Sequence, residues 1–339
     1  MSAERPPHHA PRGGFRNPWP DAEPRGFGDL PRWWIQRWRT GRPADPDPAR
    51  FPRATPALVR SGAHVDECRA TWVGHATVLL QVGGLTVLTD PMWSDRASPI
   101  SFMGPKRLVP PALPLEALPR LDFVLLSHNH YDHLDRPTVE RLGRAQPQAR
   151  WLAPLGLGAL LRQWGIGHVE EHDWHQEARL DTAAGEARFG CTPAQHFSAR
   201  GPGDRNATLW CGWTMTIGAW RVFFAGDTAL HPDFGDIARR WGPFDLAILP
   251  VGAYEPRWFM RAVHMDPDDA LAAYRALCEA HPAAPPPAML PIHWGTFRLT
   301  DEDMLEPPAR TERGWAAAGW PRERLWLLAH GETRSSADG

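Results

Sequence analysis

The chain has 339 residues, 42% of them hydrophobic, so it can bury a large core in one or two domains. Its formal net charge of −2 and its pI near 6.8 give no electrostatic basis for binding nucleic acid. The sequence shows neither the apolar core of a signal peptide nor a run of about 20 apolar residues. We therefore expect a cytoplasmic protein that is at most peripheral to the inner membrane surface.

The chain begins with an extension rich in Pro, Arg and Trp, residues 1–60, and residues 61–339 are expected to form the main domain. His8 and His9 lie in a polar stretch of the extension and are expected to be solvated. Neither of them is expected to bind metal.

Within the extension, the stretch LPRWWIQRWR predicts a helix that places Trp34 and Trp38 four residues apart. A short helix of basic and aromatic residues can lie in a membrane interface or line an entrance for acyl chains. Alternatively, its Trp side chains pack onto the domain. The shortness of the stretch favours packing.

The first regular structure predicted is a hairpin. Val78, Leu80 and Val82 alternate with other residues before a Gly83-Gly84 turn, and Leu85–Thr89 returns as the second strand. Asp90 follows directly at the end of that strand.

A second apolar run, Phe123–Leu126, leads into a group of side chains that can bind metal. The run is too short for a helix and too apolar for an exposed loop, so it predicts a buried strand. In an extended chain the first two of the histidines that follow point to the same side and can share one ion. A turn can aim the remaining two groups at a second ion. The four side chains are His128, His130, Asp132 and His133.

Three further candidates, His196, Asp227 and His293, also follow apolar or strand-like runs. Imidazole and carboxylate ligands without cysteine suit zinc or another borderline divalent metal rather than an iron–sulfur cluster. The plausible set for one ion is His128, His130 and His196. The set for the other ion is Asp132, His133 and His293, with Asp227 bridging the two.

The strings HNHYDH, AQHFSARG, FFAGDT and PIHWGTF occur in this order and resemble the metallo-β-lactamase superfamily. The flanking strings, including WVGHATVLL and GPFDLAILPVGAYEPRWFM, are more narrowly similar to its N-acylphosphatidylethanolamine-hydrolysing phospholipase D branch, with UlaG-like and RomA-like proteins as wider relatives. The resemblance extends from about Asn17 to Pro308. It implies an α/β fold in the form of a four-layer αββα sandwich, with two divalent metal ions at one edge between the sheets.

For individual residues, the resemblance implies that Asp90 orients the histidine loop by hydrogen bonds and does not bind metal. His75 is expected to lie beside the site in a similar supporting or structural role. The metal is expected to be zinc, with iron and manganese as alternatives. A homodimer is the expected assembly, because it is the habit of that branch.

The activity implied by the resemblance is that of a metal-dependent phosphodiesterase. A hydroxide held by the ions would attack phosphorus in N-acylphosphatidylethanolamine or a related glycerophospholipid. The products would be phosphatidic acid and an N-acylethanolamine. Catalysis is assigned to Asp132, as a metal ligand, and to His264, which would hydrogen-bond the phosphate or protonate the leaving oxygen. Tyr254, Arg257 and Trp258 are expected to contact the substrate, with pairing to a carboxylate of the protein as an equal alternative for Arg257.

Two alternatives are open. The enzyme could instead hydrolyse a soluble phosphodiester or a lactone, as the UlaG-like relatives suggest, because a dinuclear site fits those reactions too. The chain could also be a non-catalytic, metal-binding, envelope-associated protein, as the RomA-like relatives suggest. All seven predicted ligands are intact, which argues against a loss of catalysis.

Overall fold

The structure is a computed structural model that describes residues 5–59, 66–182 and 185–337. Two mixed β-sheets and seven α-helices build the fold within these ranges. The strands are β1 (Cys68–Gly74), β2 (Thr77–Val82), β3 (Leu85–Thr89), β4 (Phe123–Leu125), β5 (Arg150–Pro154), β6 (Val169–His172), β7 (Glu177–Thr182), β8 (Gly185–Thr192), β9 (Gly212–Ile217), β10 (Trp220–Phe224), β11 (Leu246–Pro250), β12 (Ala288–Ile292) and β13 (Thr333–Ser335). The helices are α1 (Leu30–Thr40), α2 (Arg136–Ala145), α3 (Gly158–Gln163), α4 (Phe234–Trp241), α5 (Arg257–Met260), α6 (Pro267–Glu279) and α7 (Glu306–Ala317).

Each sheet is antiparallel at one side and parallel at the other. The first has the order β13-β1-β2-β3-β4-β5-β6, with parallel pairing from β3 to β6. The second has the order β12-β11-β10-β9-β8-β7, with β10, β11 and β12 parallel. Because ligands bind beyond the carboxyl ends of parallel strands, this topology brings the loops after β3, β4, β10 and β12 to one edge.

Alternation along the strands sends side chains to two different cores. In β2, Val78 and Leu80 belong to the cluster between the sheets, whereas Leu79 packs with α2 and α3 on the outer side. Phe123 of the first sheet contacts Phe189 of the second, with ring centroids 4.6 Å apart. Helices α4 and α6 cover the second sheet, so the layers run helix, sheet, sheet, helix. The predicted αββα sandwich is confirmed.

Several predicted elements are found where expected. The hairpin forms as β2 and β3 around Gly83-Gly84, and β4 covers Phe123–Leu125 of the predicted apolar run. Helix α6 begins after Asp266, whose side chain accepts a hydrogen bond from the Asp269 N–H at 2.9 Å. No helix among the described residues is both long and apolar enough to cross a bilayer.

The N-terminal extension lies against the main domain, and its predicted boundary at residue 60 falls just outside the described residues. The expectation that His8 and His9 are solvated is wrong for His8, which is buried. Both imidazoles bond the Asp173 carboxylate, each Nε2 lying 2.7 Å from a different oxygen. The Asp173 side chain, 164 to 165 residues along the chain, could not be identified as their partner from local sequence.

The predicted helix forms as α1, but the expectation that Trp34 and Trp38 pack onto the domain is wrong. Their side chains are 61% and 85% exposed, whereas the neighbouring Trp33 is buried. The Trp33 indole N–H donates to the Asp301 carboxylate. A helix turns about 100° per residue, so burial of Trp33 directs Trp34 away from the domain.

Shortening a buried side chain of the second sheet should destabilise the fold far more than the same change at the surface. We expect Leu249→Ala, at a fully buried position of β11, to lower the free energy of unfolding by about 2–5 kcal/mol. The matched control is Leu230→Ala, where the side chain is 40% exposed and the change should be within about 0.5 kcal/mol. Urea denaturation of both variants would measure the difference, and equal losses would contradict the assigned core.

Candidate metal centre

The loop after β4 begins with Ser127 and carries four of the predicted ligands in two pairs. His128 and His133 are buried, and His130 and Asp132 are partly exposed. Loops after β8, β10 and β12 bring His196, Asp227 and His293 to the same edge, so that all seven predicted ligands lie together. Their roles as ligands stay a prediction, and the geometry shows which groups could share an ion.

The first group consists of three imidazole nitrogens. His130 Nδ1 lies 2.8 Å from His128 Nε2 and 3.2 Å from His196 Nε2. His196 uses Nδ1 to donate to the Val263 carbonyl at 2.8 Å. His128 Nδ1 lies 2.9 Å from Ser127 Oγ, whose own proton goes to Asp90 at 2.6 Å, so the imidazole is the donor. Both Nε2 lone pairs therefore point into the group, as metal binding requires.

The second group has two imidazoles and two carboxylates. His133 Nε2 and His293 Nε2 are 3.3 Å apart, and each lies 3.0 Å from Asp227 Oδ2. Asp132 Oδ2 is 3.4 Å from His133 Nε2 and 3.5 Å from His293 Nε2. Donor atoms around a tetrahedral zinc ion lie roughly 3.3 Å apart, because zinc–nitrogen bonds are about 2.0–2.1 Å long. These spacings fit one divalent ion.

Asp227 connects the two groups. The same Oδ2 atom that contacts the second group lies 3.9 Å from His196 Nε2 of the first. Its Oδ1 atom is buried and has no hydrogen-bond partner among the described residues, and the same holds for His293 Nδ1. A buried carboxylate oxygen left unpaired is costly, and a cation beside it would remove that cost. The donors therefore fit a bimetallic site with Asp227 between the ions.

The electrostatics of the groups suit metal binding. Burial lowers the pKa of His130 to about 3 and that of His196 to about 4, so both are neutral near pH 7. Burial alone would raise the pKa of Asp227, but the charge on His133 and His293 holds it well below its ordinary range. Neutral imidazoles and ionised carboxylates are the forms that bind metal, so His130, His196 and Asp227 are in that form. Burial alone would lower the pKa of His133 and His293, but the carboxylates raise it, so an ion would have to displace a proton from each of these two imidazoles.

Asp90 and His75 each hydrogen-bond one of the predicted ligands. Asp90 is fully buried and accepts hydrogen bonds from the Ser127 N–H at 2.7 Å and from His133 Nδ1 at 2.7 Å, so His133 Nε2 faces the ions' position. His75 Nε2 lies 2.8 Å from Asp132 Oδ2. Because burial lowers the pKa of His75 to about 3, this imidazole is neutral and donates its proton to the carboxylate. Both contacts have the geometry of the predicted supporting roles.

A cavity of about 290 Å³ adjoins the two groups, and His264 lies in its wall. His264 Nδ1 is 3.9 Å from Asp227 Oδ2, which places this predicted catalytic residue beside the metal centre. The apolar wall comes from the side chains of Leu30, Trp33, Phe197, Phe259, Met260 and Val263. Two basic residues that the sequence analysis missed, Arg25 and Arg205, also line it.

The structure places none of the three predicted substrate contacts in the cavity wall, and their contact with substrate stays a prediction. The Tyr254 hydroxyl donates to Glu306 at 2.8 Å, and Arg257 pairs with Asp269 at 2.5 Å. The Trp258 indole donates to the Gln36 side chain of α1 at 2.6 Å. These contacts connect α5 to α1 and α6, and the loop after β11 to α7. No local signal marks Arg25 or Arg205, since both reach it through tertiary packing.

Comparisons with known proteins agree with this site. The family described as Beta-lactamase superfamily domain matches residues 86–294. An N-acyl-phosphatidylethanolamine-hydrolyzing phospholipase D of Caenorhabditis elegans is 44% identical over 245 residues, which is 70% of this chain and 67% of that protein. An uncharacterized protein of Mycobacterium tuberculosis is 42% identical over 278 residues, covering 81% and 70%.

A likeness to solved structures concerns the fold alone. Igni18, a metallo hydrolase from the archaeon Ignicoccus hospitalis, has a TM-score of 0.57 and 22% identity, covering 79% of this chain and 98% of that one. The matched family spans most of the two sheets and all seven candidate ligands. The chain therefore belongs to the metallo-β-lactamase superfamily, in the branch resembling N-acylphosphatidylethanolamine-hydrolysing phospholipase D, and is a metal-dependent hydrolase.

Proposed function

We propose that this hydrolase cleaves the phosphodiester of N-acylphosphatidylethanolamine or a related glycerophospholipid. The bond broken would join phosphorus to the ethanolamine oxygen, giving phosphatidic acid and an N-acylethanolamine. The observation that carries the proposal is the apolar cavity that adjoins the metal centre. The 44% identity to the C. elegans enzyme supports the same substrate class.

The cavity matches a substrate that is charged at one end and apolar at the other. His130, Asp132 and Asp227 of the metal centre contribute to its lining, where a phosphodiester would bind. Trp33 and Phe259, whose ring centroids are 4.9 Å apart, form part of its apolar side, where acyl chains would lie. A small soluble phosphodiester would gain nothing from that apolar surface.

Two arginines can contribute to binding the phosphate. Arg205 lies over the Phe197 ring at 4.8 Å and lines the cavity together with Arg25. A guanidinium presents several N–H donors in a fixed plane and suits phosphate oxygens. We propose that this pair takes the role first expected of Arg257.

The chemical roles of the ions and of His264 follow from their charges. We propose zinc for both ions, since nitrogen and oxygen donors without thiolate suit it, with iron and manganese as alternatives. Bound ions would acidify a water to supply the nucleophile and would neutralise charge on the phosphate. Burial holds the pKa of His264 well below its usual range. Neutral His264 therefore suits a hydrogen bond to the phosphate or leaving oxygen better than proton donation.

Helix α1 would bring the enzyme to its substrate. It exposes Trp34, Ile35 and Trp38 beside several arginines, a composition that favours the headgroup region of a bilayer. The same helix contributes Leu30 and Trp33 to the cavity wall. We propose that α1 rests on the membrane surface, so that a lipid can pass from the bilayer into the cavity.

Product analysis tests the reaction. Metal-replete protein incubated with micellar N-acylphosphatidylethanolamine should release phosphatidic acid and N-acylethanolamine, detected by mass spectrometry. Loss of a residue that only orients a metal ligand lowers activity by roughly 10–100-fold. Asp132→Asn should lower kcat/KM by more than that, because it removes a predicted ligand itself. Parallel assays with bis(p-nitrophenyl) phosphate and a lactone serve as controls. Faster turnover of either, with none of the lipid, would overturn the substrate assignment.

Asp227→Ala should disrupt the centre, because it removes the carboxylate that lies between the two groups. We expect the bound metal to fall from two ions to one or none per chain, measured by mass spectrometry of the metal after dialysis. The matched control is Asp236→Ala on the surface of α4, which should keep both ions. Full occupancy and normal turnover of Asp227→Ala would refute the bridging role.

The double substitution Trp34→Ala/Trp38→Ala tests the membrane contact. Each large apolar side chain contributes up to about 1.5–3 kcal/mol when buried. Partial insertion of both should therefore make the variant bind liposomes at least about tenfold more weakly in sedimentation assays. The midpoint of thermal unfolding should barely change, because both side chains are exposed. A lowered midpoint with unchanged liposome binding would instead indicate a packing role.

A further inference from the structure

The main chain of His196 is held by a residue of the N-terminal extension. The Asn17 side chain donates from Nδ2 to the His196 carbonyl at 2.9 Å, and its Oδ1 accepts from the His196 N–H at 3.2 Å. Its second Nδ2 proton goes to the Ala22 carbonyl at 2.8 Å. The orientation of the carboxamide is unambiguous, because a carbonyl can only accept and a main-chain N–H can only donate.

His196 needs such support because it lies beyond the end of β8. That strand ends at Thr192, so the His196 main chain is outside the ladder of the second sheet. The residue is fully buried, and a buried peptide group must find partners. Asn17 supplies both of them, and the Val263 carbonyl holds the imidazole at Nδ1. These three contacts define where His196 Nε2 points.

Asn17 is itself held firmly from both sides. On one side, the Phe15 N–H donates to the Asn206 carbonyl at 2.8 Å, and His8 and His9 bond Asp173. On the other side, the Trp19 indole donates to Asp233 at 3.0 Å and its ring stacks on His231 with centroids 4.5 Å apart. The extension is thus fastened to the domain next to the metal centre.

We infer that Asn17 is a positioning residue for the metal centre, holding the His196 main chain so that its imidazole stays aligned with His128 and His130. The inference rests on the proposed two-ion centre and does not depend on the lipid substrate. Contacts that orient a metal ligand typically change metal affinity by about 10–100-fold when they are lost. Because the Asn17 side chain hydrogen-bonds a single predicted ligand, His196, and otherwise only the Ala22 carbonyl of the extension, its loss should weaken one ion selectively.

The test is zinc binding by the full chain, measured by equilibrium dialysis against buffers of graded free zinc. In Asn17→Ala, one of the two ions should need about 10–100-fold more free zinc for half occupancy, and the other should bind as in the unchanged protein. The control is Trp19→Phe, which loses the bond to Asp233 but keeps an aromatic ring on His231. It should bind both ions normally. If Asn17→Ala fails to fold, Asn17→Ser takes its place. Its side chain is too short to reach both His196 peptide groups, so it should show the same selective loss.

Other outcomes separate the possibilities. Unchanged binding of both ions to Asn17→Ala and Asn17→Ser would overturn the inference. Equal weakening of both ions, or the same weakening in Trp19→Phe, would show that the extension acts only through general stability. Because no lipid is present, an enzyme inactive on N-acylphosphatidylethanolamine would still give the selective zinc result. Failure of the unchanged protein to bind a second ion would refute the two-ion centre itself.

Discussion

The candidate metal centre depends on the hydrogen bonds that the buried carboxylate of Asp90 accepts. It lies at the end of β3, next to β4, and accepts hydrogen bonds from the Ser127 N–H, the Ser127 hydroxyl and His133 Nδ1. Burial raises the pKa of Asp90, and these three donors oppose that shift. The Ser127 hydroxyl, bound on one side, accepts from His128 on the other. One carboxylate therefore sets the tautomer of one histidine in each group, directly for His133 and through Ser127 for His128.

The negative charge of two carboxylates explains why the centre would bind cations. The Asp132 and Asp227 carboxylates are held among imidazoles at a buried edge of the sheets, where an uncompensated negative charge is costly. These carboxylates raise the pKa of His133 well above its ordinary value, although burial alone would lower it. A proton on His133 and a divalent ion at its Nε2 thus compete for the same position. Ion binding would replace that proton and satisfy both carboxylates at once.

The parts of the site that sequence analysis predicted are those encoded locally. The strand Phe123–Leu125 and the loop after it determine which imidazoles can share an ion, and the structure brings the more distant His196 and His293 to them. What escaped prediction depends on helical phase or distant packing. The indole that packs onto the domain belongs to Trp33, one residue before the predicted Trp34. For Arg257 the sequence left two partners open, and the structure shows the second of them, a carboxylate, in Asp269 of α6. Composition alone cannot choose among such partners.

The extension shows that a segment set apart by its composition can still contribute to the candidate site. Residues 1–60 differ from the rest in Pro, Arg and Trp content, yet several of them line the cavity beside the candidate metal centre. Pro24, Arg25 and Leu30 line it, while Asn17 holds a predicted ligand. The same segment then continues into α1, whose outer face carries the exposed tryptophans. The contact with His196, the cavity lining and the exposed tryptophans thus all lie within the stretch Asn17–Trp38. A change in the position of this segment would therefore act directly on His196, because Asn17 hydrogen-bonds its main chain on both sides.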